Sequence, residues 1–348
     1  MKILVRGTNW IGDAVMSIPA LRELRRIFPD DHITLHTRSW ADGLFQDATF
    51  IDEIVSYDRS RWRYRDILDN SKFLKRDEYD LAVVLPNSFE SAVTAFLSKI
   101  PRRIGYNKDA RGLLLTDPIA VPEWKGRRHE AYYYLNLVQN VERLLLHRET
   151  VGRSELDGSL EVSEVRRADA RRLLSENGVD VSRPIAVLGV GSANSRAKRW
   201  HAENYAKLAE LISNNTGQNV VLVGSKDEED AAVEVEAYST ASLVNLAGKT
   251  DLATAAAVLA ESDLMISNDM GLAHLAPAVG TKTFVLFGPT NPETTRPFAP
   301  NAAVLREPVD CSPCMLRDCP IDHRCMTRLT PERVFDSVFS VQEEVADD

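Results

Sequence analysis

One stretch, residues 263–289, carries the pattern that most constrains how this chain can fold. Leu264–Ile266 is an apolar run typical of a short buried strand. Gly271–Val279 has the composition of a helix that ends at Gly280, and Thr283–Phe287 is a second β-rich run. A strand, a helix and another strand predict a βαβ unit, whose two strands are parallel.

The residues between the first strand and the helix predict a site for an anionic group. Ser267, Asn268 and Asp269 are residue types that cap the start of a helix. In a βαβ unit, ligands bind where the strands end and the helix begins. Free backbone N–H groups and the helix dipole favour phosphate at that point. The plain alternative is an ordinary capped helix, in which His274 is a packed histidine.

The composition indicates a globular protein of two domains. The chain has 348 residues, of which 44% are hydrophobic and 27% charged, and this length exceeds one typical core. No apolar run approaches the roughly 20 residues that a membrane-spanning helix needs. The opening MKILVRG is too short for a signal peptide and indicates a first strand. We therefore expect a cytoplasmic protein, and we expect it to be a monomer.

The charge is distributed unevenly between the two halves. The net charge of −9 argues against general nucleic-acid binding. Residues 1–150 carry a net charge of +2 and the remainder −11. Basic residues alternate with Trp62 and Tyr64 over residues 59–65, and others gather over residues 99–128. Such a half would suit a negatively charged partner, although unequal halves and solvated basic faces are also common without one.

Apolar runs and helical patterns alternate along both halves. Predicted strands are Lys2–Arg6, Ile33–His36, Glu53–Ser56, Asp80–Leu85, Arg103–Tyr106, Ile185–Leu188, Val220–Val223 and Leu243–Leu246. Predicted helices are Ala14–Phe28, Ser88–Ser98, Glu130–Leu146, Glu164–Asn177, Ala202–Ser213, Asp227–Tyr238, Leu252–Ala260 and Thr330–Glu344. The alternation predicts an α/β fold of two doubly wound domains, joined by a linker at Val151–Gly158.

Three motifs occur together: Gly12-Asp13 in the first loop, Ala197-Lys198-Arg199-Trp200 in the middle, and residues 268–274 within the βαβ stretch 263–289. Together they resemble the ADP-heptose:lipopolysaccharide heptosyltransferases (glycosyltransferase family 9), most closely the heptosyltransferase II branch. The resemblance covers nearly the whole chain. It implies the GT-B architecture, in which two Rossmann-like domains face each other across a cleft. Residues 1–155 would bind the acceptor, residues 156–329 the sugar nucleotide, and the helix in 330–348 would return to the amino-terminal domain.

The resemblance also assigns two catalytic residues. Asp13 would be the base that deprotonates the acceptor hydroxyl, whereas its position at a loop-to-helix junction alone also suits a helix cap. Lys198 follows a glycine-containing loop and would offset the charge that develops on the leaving diphosphate. A surface lysine is the ordinary alternative for that residue.

The donor would be held at the start of the predicted helix Gly271–Val279. Backbone N–H groups of Met270, Gly271 and Leu272 would bind the diphosphate, and Gly271 would let the ligand approach closely. Asp269 would hold the loop or a sugar hydroxyl, and His274 would support the site. Many relatives carry Ser or Thr at the position of Met270, a change that preserves a backbone contact.

The implied reaction moves L-glycero-D-manno-heptose from ADP-heptose to the first heptose of the inner core, with inversion and with no cofactor required. The acceptor would be an acidic, lipid-linked oligosaccharide, which would bring the protein to the cytoplasmic face of the inner membrane. Heptosyltransferases I and III are alternatives, because they share these motifs. A sugar-nucleotide epimerase of the same architecture and a non-catalytic nucleotide-binding regulator are two further alternatives.

All four cysteines, Cys311, Cys314, Cys319 and Cys325, lie within fifteen residues. In a reducing compartment such a group favours a metal over disulfides. The spacing C-x2-C-x4-C-x5-C differs from the usual two separated ligand pairs of a zinc finger. Two interpretations therefore stay open: a structural metal, or free thiols.

Overall fold

The chain forms two compact units, Met1–Leu160 and Glu161–Asp348. A computed structural model describes residues 1–192 and 195–340. The division falls two residues after the end of the predicted linker, Val151–Gly158. The acceptor and donor roles predicted for the two domains stay predictions.

The first unit contains one parallel six-stranded sheet in the order β3-β2-β1-β4-β5-β6. Its strands are β1 (Lys2–Arg6), β2 (His32–Arg38), β3 (Glu53–Tyr57), β4 (Leu81–Val84), β5 (Arg102–Tyr106) and β6 (Asp117–Ile119). Its helices are α1 (Ile11–Met16), α2 (Ile18–Ile27), α3 (Arg63–Leu74), α4 (Phe89–Leu97) and α5 (Glu130–Leu146). The strand order reverses between β1 and β4, so the loops after these two strands lie side by side.

The predicted first helix, Ala14–Phe28, is two helices. Helix α1 ends at Met16, and α2 begins at Ile18 with Pro19 in its first turn. Proline has no N–H to donate and fits best in the first turn of a helix. The Ser17 hydroxyl at the junction donates to the carbonyl of Ala14, at 2.7 Å. The break therefore places a short helix, with Asp13 in its first turn, directly after the β1 loop.

The second unit repeats the same winding in the order β12-β11-β10-β7-β8-β9. Its strands are β7 (Ile185–Gly189), β8 (Asn219–Val223), β9 (Leu243–Asn245), β10 (Leu264–Asn268), β11 (Lys282–Phe287) and β12 (Ala302–Arg306). Its helices are α6 (Glu164–Glu176), α7 (Ala202–Thr216), α8 (Glu229–Tyr238), α9 (Leu252–Ala260), α10 (Gly271–Ala278), α11 (Pro292–Thr295), α12 (Arg324–Thr327) and α13 (Pro331–Phe339). Its topological switch point lies between β7 and β10.

The last described helix, α13, belongs to the core of the second unit. It packs against α7, and Val334 and Val338 are buried in the same hydrophobic cluster as Trp200 and Leu208. The remainder of the predicted terminal helix, residues 341–348, lies outside the described residues. The expected return of this helix to the amino-terminal domain stays a prediction.

Several short elements escaped the sequence analysis. Strand β6 has only three residues and contains Pro118, while β12 is short and none of its residues is fully buried. Helix α3 begins among charged and aromatic side chains that had been interpreted only as a basic group. Within the described part of the chain, no helix has both the length and the apolar character needed to cross a membrane.

Candidate active site

The candidate site of the second unit is built at its topological switch point. Strands β7 and β10 are parallel neighbours, with Gly189 opposite Ser267. A Cβ atom added at Gly189 would lie 2.6 Å from the Ser267 Cβ, so the two strand ends can approach this closely only because residue 189 is glycine. The β7 loop leads to Lys198, and the β10 end leads to Asp269.

The Asn268 side chain links the end of β10 to the loop that follows β7. This side chain is fully buried, and its amide donates to the carbonyls of Val190 and Gly191, each at 3.2 Å. Its Oδ1 accepts from the backbone N–H of Trp200, at 3.0 Å. The prediction that residues 267–269 cap the following helix is wrong, because β10 extends through Asn268 and its side chain is committed to the neighbouring loop.

The start of α10 therefore carries no side-chain cap. Its N-cap residue is Met270, with extended backbone angles (φ −138°, ψ 173°) and without a capping hydrogen bond from its side chain. Gly271 and Leu272 follow in the first turn. This helix start lies at the carboxyl edge of the sheet, as predicted, and its N–H groups and dipole favour an anion there.

Asp269 is the centre of the polar contacts at this edge. Its Oδ2 lies 2.7 Å from the Nζ of Lys198 and accepts a hydrogen bond from the Thr290 hydroxyl, also at 2.7 Å. The same Nζ donates to the Asp269 carbonyl at 3.3 Å. The carboxylate is 5% exposed. The structure thus brings together Lys198 and Asp269, which the sequence analysis had assigned separately.

The electrostatics keep Asp269 ionised. Burial by itself raises the pKa of a carboxyl, but the neighbouring His274 and Lys198 outweigh it and lower the pKa of Asp269 to about 2. The Nε2 of His274 lies 3.9 Å from Oδ1, which is beyond hydrogen-bond distance. His274 is buried in α10, and its Nδ1 has no hydrogen-bond partner. His274 thus lies beside Asp269, and its predicted supporting role stays a prediction.

Asp13 lies in the first unit, in the first turn of α1. The hydroxyl of Tyr134, on α5, donates to its Oδ1 at 3.0 Å. Burial, together with the negative charge of Asp13, raises the pKa of Tyr134 well above its usual range, so this hydroxyl keeps its proton and orients the carboxylate. The N-cap of α1 is Trp10. The alternative that Asp13 is the N-cap of the helix is therefore wrong.

Sequence reasoning missed three residues of the site. Thr290 follows β11 and was passed over as part of a turn, Asn268 was assigned to the wrong role, and Tyr134 was one of three consecutive tyrosines in a long helix. A polar residue at or just beyond the end of a buried strand is a usable signal for the first two, because Asn268 ends β10 and Thr290 lies three residues after β11. Tyr134 had no local signal, because its partner lies 121 residues away.

The cysteine segment, residues 311–325, shows no metal centre. All four cysteines are free, with Cys311 and Cys314 exposed and Cys325 buried. Among the residues that the structure describes, no three or more His, Cys, Asp or Glu side chains are arranged to hold a metal ion. Burial, reinforced by the neighbouring thiols, raises the pKa of Cys325 to about 11. A structural metal is thus not shown, and the free-thiol interpretation stays a prediction.

Comparisons with known proteins identify the family of this chain. The sequence model of "Glycosyltransferase family 9 (heptosyltransferase)" matches residues 67–324. The chain belongs to this family.

Several relatives match this chain over most of its length. The lipopolysaccharide heptosyltransferase 2 of Salmonella typhimurium is 30% identical over 355 residues, which cover 99% of each chain. The lipooligosaccharide heptosyltransferase 2 of Haemophilus influenzae is 30% identical over 321 residues, covering 88% of each chain. The solved structure of Escherichia coli ADP-heptose LPS heptosyltransferase II superposes with a TM-score of 0.83 at 28% identity, over 99% of this chain and 100% of that one.

These matches confirm the predicted α/β fold of two Rossmann-like units, the architecture that the GT-B prediction named. They confirm the resemblance found from the three sequence motifs as well. The predicted orientation of the two units across a cleft stays a prediction.

Proposed function

We propose that this protein is an inverting glycosyltransferase that moves L-glycero-D-manno-heptose from ADP-heptose to the first heptose of the lipopolysaccharide inner core. Family membership and the heptosyltransferase 2 relatives support the class of reaction. The observation that carries the proposal is the Lys198–Asp269 ion pair at the start of α10. It places a fixed cation beside a helix N-terminus whose N-cap side chain is not engaged.

In the donor half of the reaction, the positive groups at this helix start would stabilise the negative charge of the leaving group. When the bond between the anomeric carbon and the diphosphate oxygen breaks, negative charge collects on the leaving ADP. Lys198 and the backbone N–H groups of Met270, Gly271 and Leu272 would stabilise that charge, because they are oriented before the reaction begins. Asp269 would hold Lys198 in place. Since the cation and the helix dipole supply positive charge, the proposed mechanism has no metal step.

The acceptor half assigns Asp13 as the general base. Asp13 would take the proton of the acceptor hydroxyl while its oxygen attacks the anomeric carbon from the side opposite to the diphosphate. One bond forms, one breaks, and the configuration inverts. Tyr134 would keep the Asp13 carboxylate aimed by its hydrogen bond. In-line displacement requires that Asp13 and the Lys198 turn reach the same pair of substrates, and this is the main demand of the proposal.

The acceptor we propose is an acidic, lipid-linked core oligosaccharide. The net charge of +2 over residues 1–150, against −11 for the remainder, supports an anionic partner for the first unit. Heptosyltransferase I and III activities differ only in the acceptor, so they remain the competing functions. Membership of a glycosyltransferase family disfavours the epimerase and the regulator.

A surface of the first unit supports contact with the cytoplasmic face of the inner membrane. Phe89 lies seven residues before Phe96 and eight before Leu97 on α4, so the three side chains lie on one side of the helix, and each is more than a third exposed. Trp62 and Tyr64, at the start of the neighbouring α3, are 69% and 87% exposed. This apolar surface adjoins exposed basic residues, namely Arg61, Arg63, Arg65, Lys72 and Lys99. Aromatic side chains surrounded by cations suit an anionic lipid surface.

The deciding experiment incubates the full chain with ADP-heptose and defined core acceptors. We propose that the chain acts as a monomer. We expect ADP release to match the acceptor's gain of one heptosyl mass, with the acceptor that already carries the first heptose. Transfer only to the heptose-free acceptor would identify heptosyltransferase I instead. Nucleotide and free sugar without transfer would indicate the epimerase, and binding without any product would indicate the regulator.

A further inference from the structure

The cysteine segment contacts the two turns that carry Thr290 and Lys198, the residues whose side chains bond to Asp269. Within it, the backbone N–H of Met315 donates to the carbonyl of Pro289, at 2.8 Å. Two residues later, the Arg317 carbonyl accepts from the backbone N–H of Ala197, at 2.9 Å. Pro289 precedes Thr290, and Ala197 precedes Lys198. A single surface segment therefore lies against the chain beside each of the two side chains that contact Asp269.

His323 provides a second contact to the turn that carries Lys198. Its Nε2 lies 2.6 Å from the Ala197 carbonyl. Because a carbonyl can only accept, Nε2 must carry the proton in this contact. The peptide unit on each side of Ala197 is thus held: its N–H by Arg317 and its C=O by His323. Ala197 itself is 3% exposed, so water would not readily replace either bond.

The carboxyl-terminal end of the segment packs into the hydrophobic core of the second unit. Cys325 and Met326 are buried among the side chains of the central hydrophobic cluster. A Cβ atom added at Gly288 would lie 2.5 Å from the Met326 Sδ and 3.2 Å from the Cys325 Sγ. Glycine at position 288 allows this close packing. The segment is therefore a fixed support and not a loose surface loop.

We propose that the cysteine segment positions Lys198 for catalysis, and that His323 is the positioning residue that transmits this support through the Ala197 carbonyl. The inference rests on the proposed role of Lys198. The contacts form a closed circuit: Lys198 and Thr290 meet at Asp269 on one side, and their neighbouring residues are held by Arg317 and Met315 on the other. His323 contacts the Ala197 carbonyl, so we assign it an effect on Lys198 through the backbone. It fixes the position of the Lys198 main chain.

The test compares His323→Ala and His323→Gln with the wild type. Alanine removes the donor to a buried carbonyl, and we expect kcat/KM to fall about tenfold. Glutamine carries an N–H donor at a similar reach, and we expect it to restore most of the activity. The matched control is His201→Ala, since the His201 ring lies 6.0 Å from that of His323 and is exposed. We expect this control to match the wild type.

A double-mutant cycle separates positioning from general destabilisation. In a Lys198→Ala background, His323→Ala should change kcat/KM by less than about twofold, because the group that it positions is already gone. An equal tenfold fall in both backgrounds would overturn the proposal, as would a Gln variant no better than Ala.

A second measurement needs no sugar nucleotide. Amine acetylation followed by peptide mass spectrometry compares Lys198 with Lys282, another partly buried lysine of the same unit. We expect His323→Ala to raise the Lys198 rate several-fold relative to Lys282, and His323→Gln to restore it. An unchanged ratio contradicts the positioning role. If heptose transfer is not detected, the proposed function fails, while this ratio still decides the positioning of Lys198.

Discussion

Lys198 Nζ lies 2.7 Å from Asp269 Oδ2, and the carboxylate of this pair is almost completely buried. The lysine is about one quarter exposed, so the pair presents its cationic end outward. A buried carboxylate without its cation is costly. The ion pair therefore stabilises the second unit and also supplies the charge that the donor diphosphate would meet.

Replacing Lys198 by alanine should affect both properties. We expect kcat/KM to fall 10²- to 10³-fold, because a preoriented charge is removed from the leaving group. We also expect the free energy of unfolding to fall by about 3 kcal/mol, because Asp269 is left unpaired. Steady-state kinetics and urea denaturation measure the two effects. Lys226→Ala, which breaks an exposed pair with Glu229, should change neither appreciably, and full activity of Lys198→Ala would refute the assignment.

Asp269 should make the stability of the protein depend on acid pH. Its pKa in the folded protein, about 2, lies below the ordinary value of 3.8. The unfolded chain thus binds this proton first, and the stabilisation by Asp269 is present above pH 4 and is lost as the pH falls toward 2. The full effect is about 2 kcal/mol. The difference in free energy of unfolding between the wild type and Asp269→Asn should therefore narrow from pH 5 to pH 3.

The control for this measurement is Asp230→Asn, at an exposed position of α8. This substitution removes an exposed carboxylate and leaves the contacts of Asp269 intact. A difference of constant size for Asp269→Asn from pH 5 to pH 3 would mean that the Asp269 carboxylate is not held in its ionised form by its neighbours.

Asp13 and Tyr134 should be separable by their effects on turnover. We expect Asp13→Asn to lose at least about 10²-fold in kcat, as removal of a general base does, while ADP binding is kept. Tyr134→Phe deletes only the hydrogen bond at 3.0 Å, so a fall of about tenfold is expected. Tyr133→Phe is the matched control, since its hydroxyl donates to Asn87 instead. Equal losses for the two phenylalanine variants would show that Tyr134 has no special relation to the base.

The apolar face of α4 should bind anionic membranes. We expect the wild type to sediment with vesicles that contain phosphatidylglycerol and to remain in solution with pure phosphatidylcholine. The double variant Phe89→Ser/Phe96→Ser should lose this binding. Val233→Ser, at a comparably exposed apolar residue of the second unit, should retain it. Binding that is unaffected by the double variant would place the contact elsewhere.

The four thiols should react at very different rates. With a pKa of about 11, Cys325 is a thiolate in only about one molecule in a thousand at pH 8, and it is also buried. We expect a disulfide reagent to modify Cys311 and Cys314 quickly and Cys325 only after denaturation. Tryptic mass spectrometry identifies each site. Rapid modification of Cys325 in the folded protein would contradict its packing against Gly288.

The order of the strands and helices could be predicted because it depends on local patterns. Helices Glu130–Leu146 and Leu252–Ala260 were confirmed at both ends, since each has a long apolar periodicity between clear limits. Strand ends were less certain. Strand β10 continues into Ser267 and Asn268, because pairing with β7 and β11 outweighs the capping preference of those side chains.

Candidate site residues could be named from the sequence, but their contact partners could not. Short motifs and positions after strands pointed to Lys198, Asp269 and Asp13, whose roles stay predictions. The ion pair, the Thr290 contact and the Tyr134 contact join residues 71, 21 and 121 positions apart. Such pairings follow from the winding of the sheet and from loop conformation, neither of which a single sequence displays. The support of Lys198 by the cysteine segment has the same origin.

We expect the uncapped beginning of α10 to make the stability of the second unit depend on binding of the proposed donor. A helix start that lacks a side-chain partner leaves part of the stability of the second unit to be supplied by a bound phosphate. Heat tolerance should therefore rise when ADP or ADP-heptose is added, and the size of the rise would rank candidate nucleotides before any acceptor sugar has been prepared.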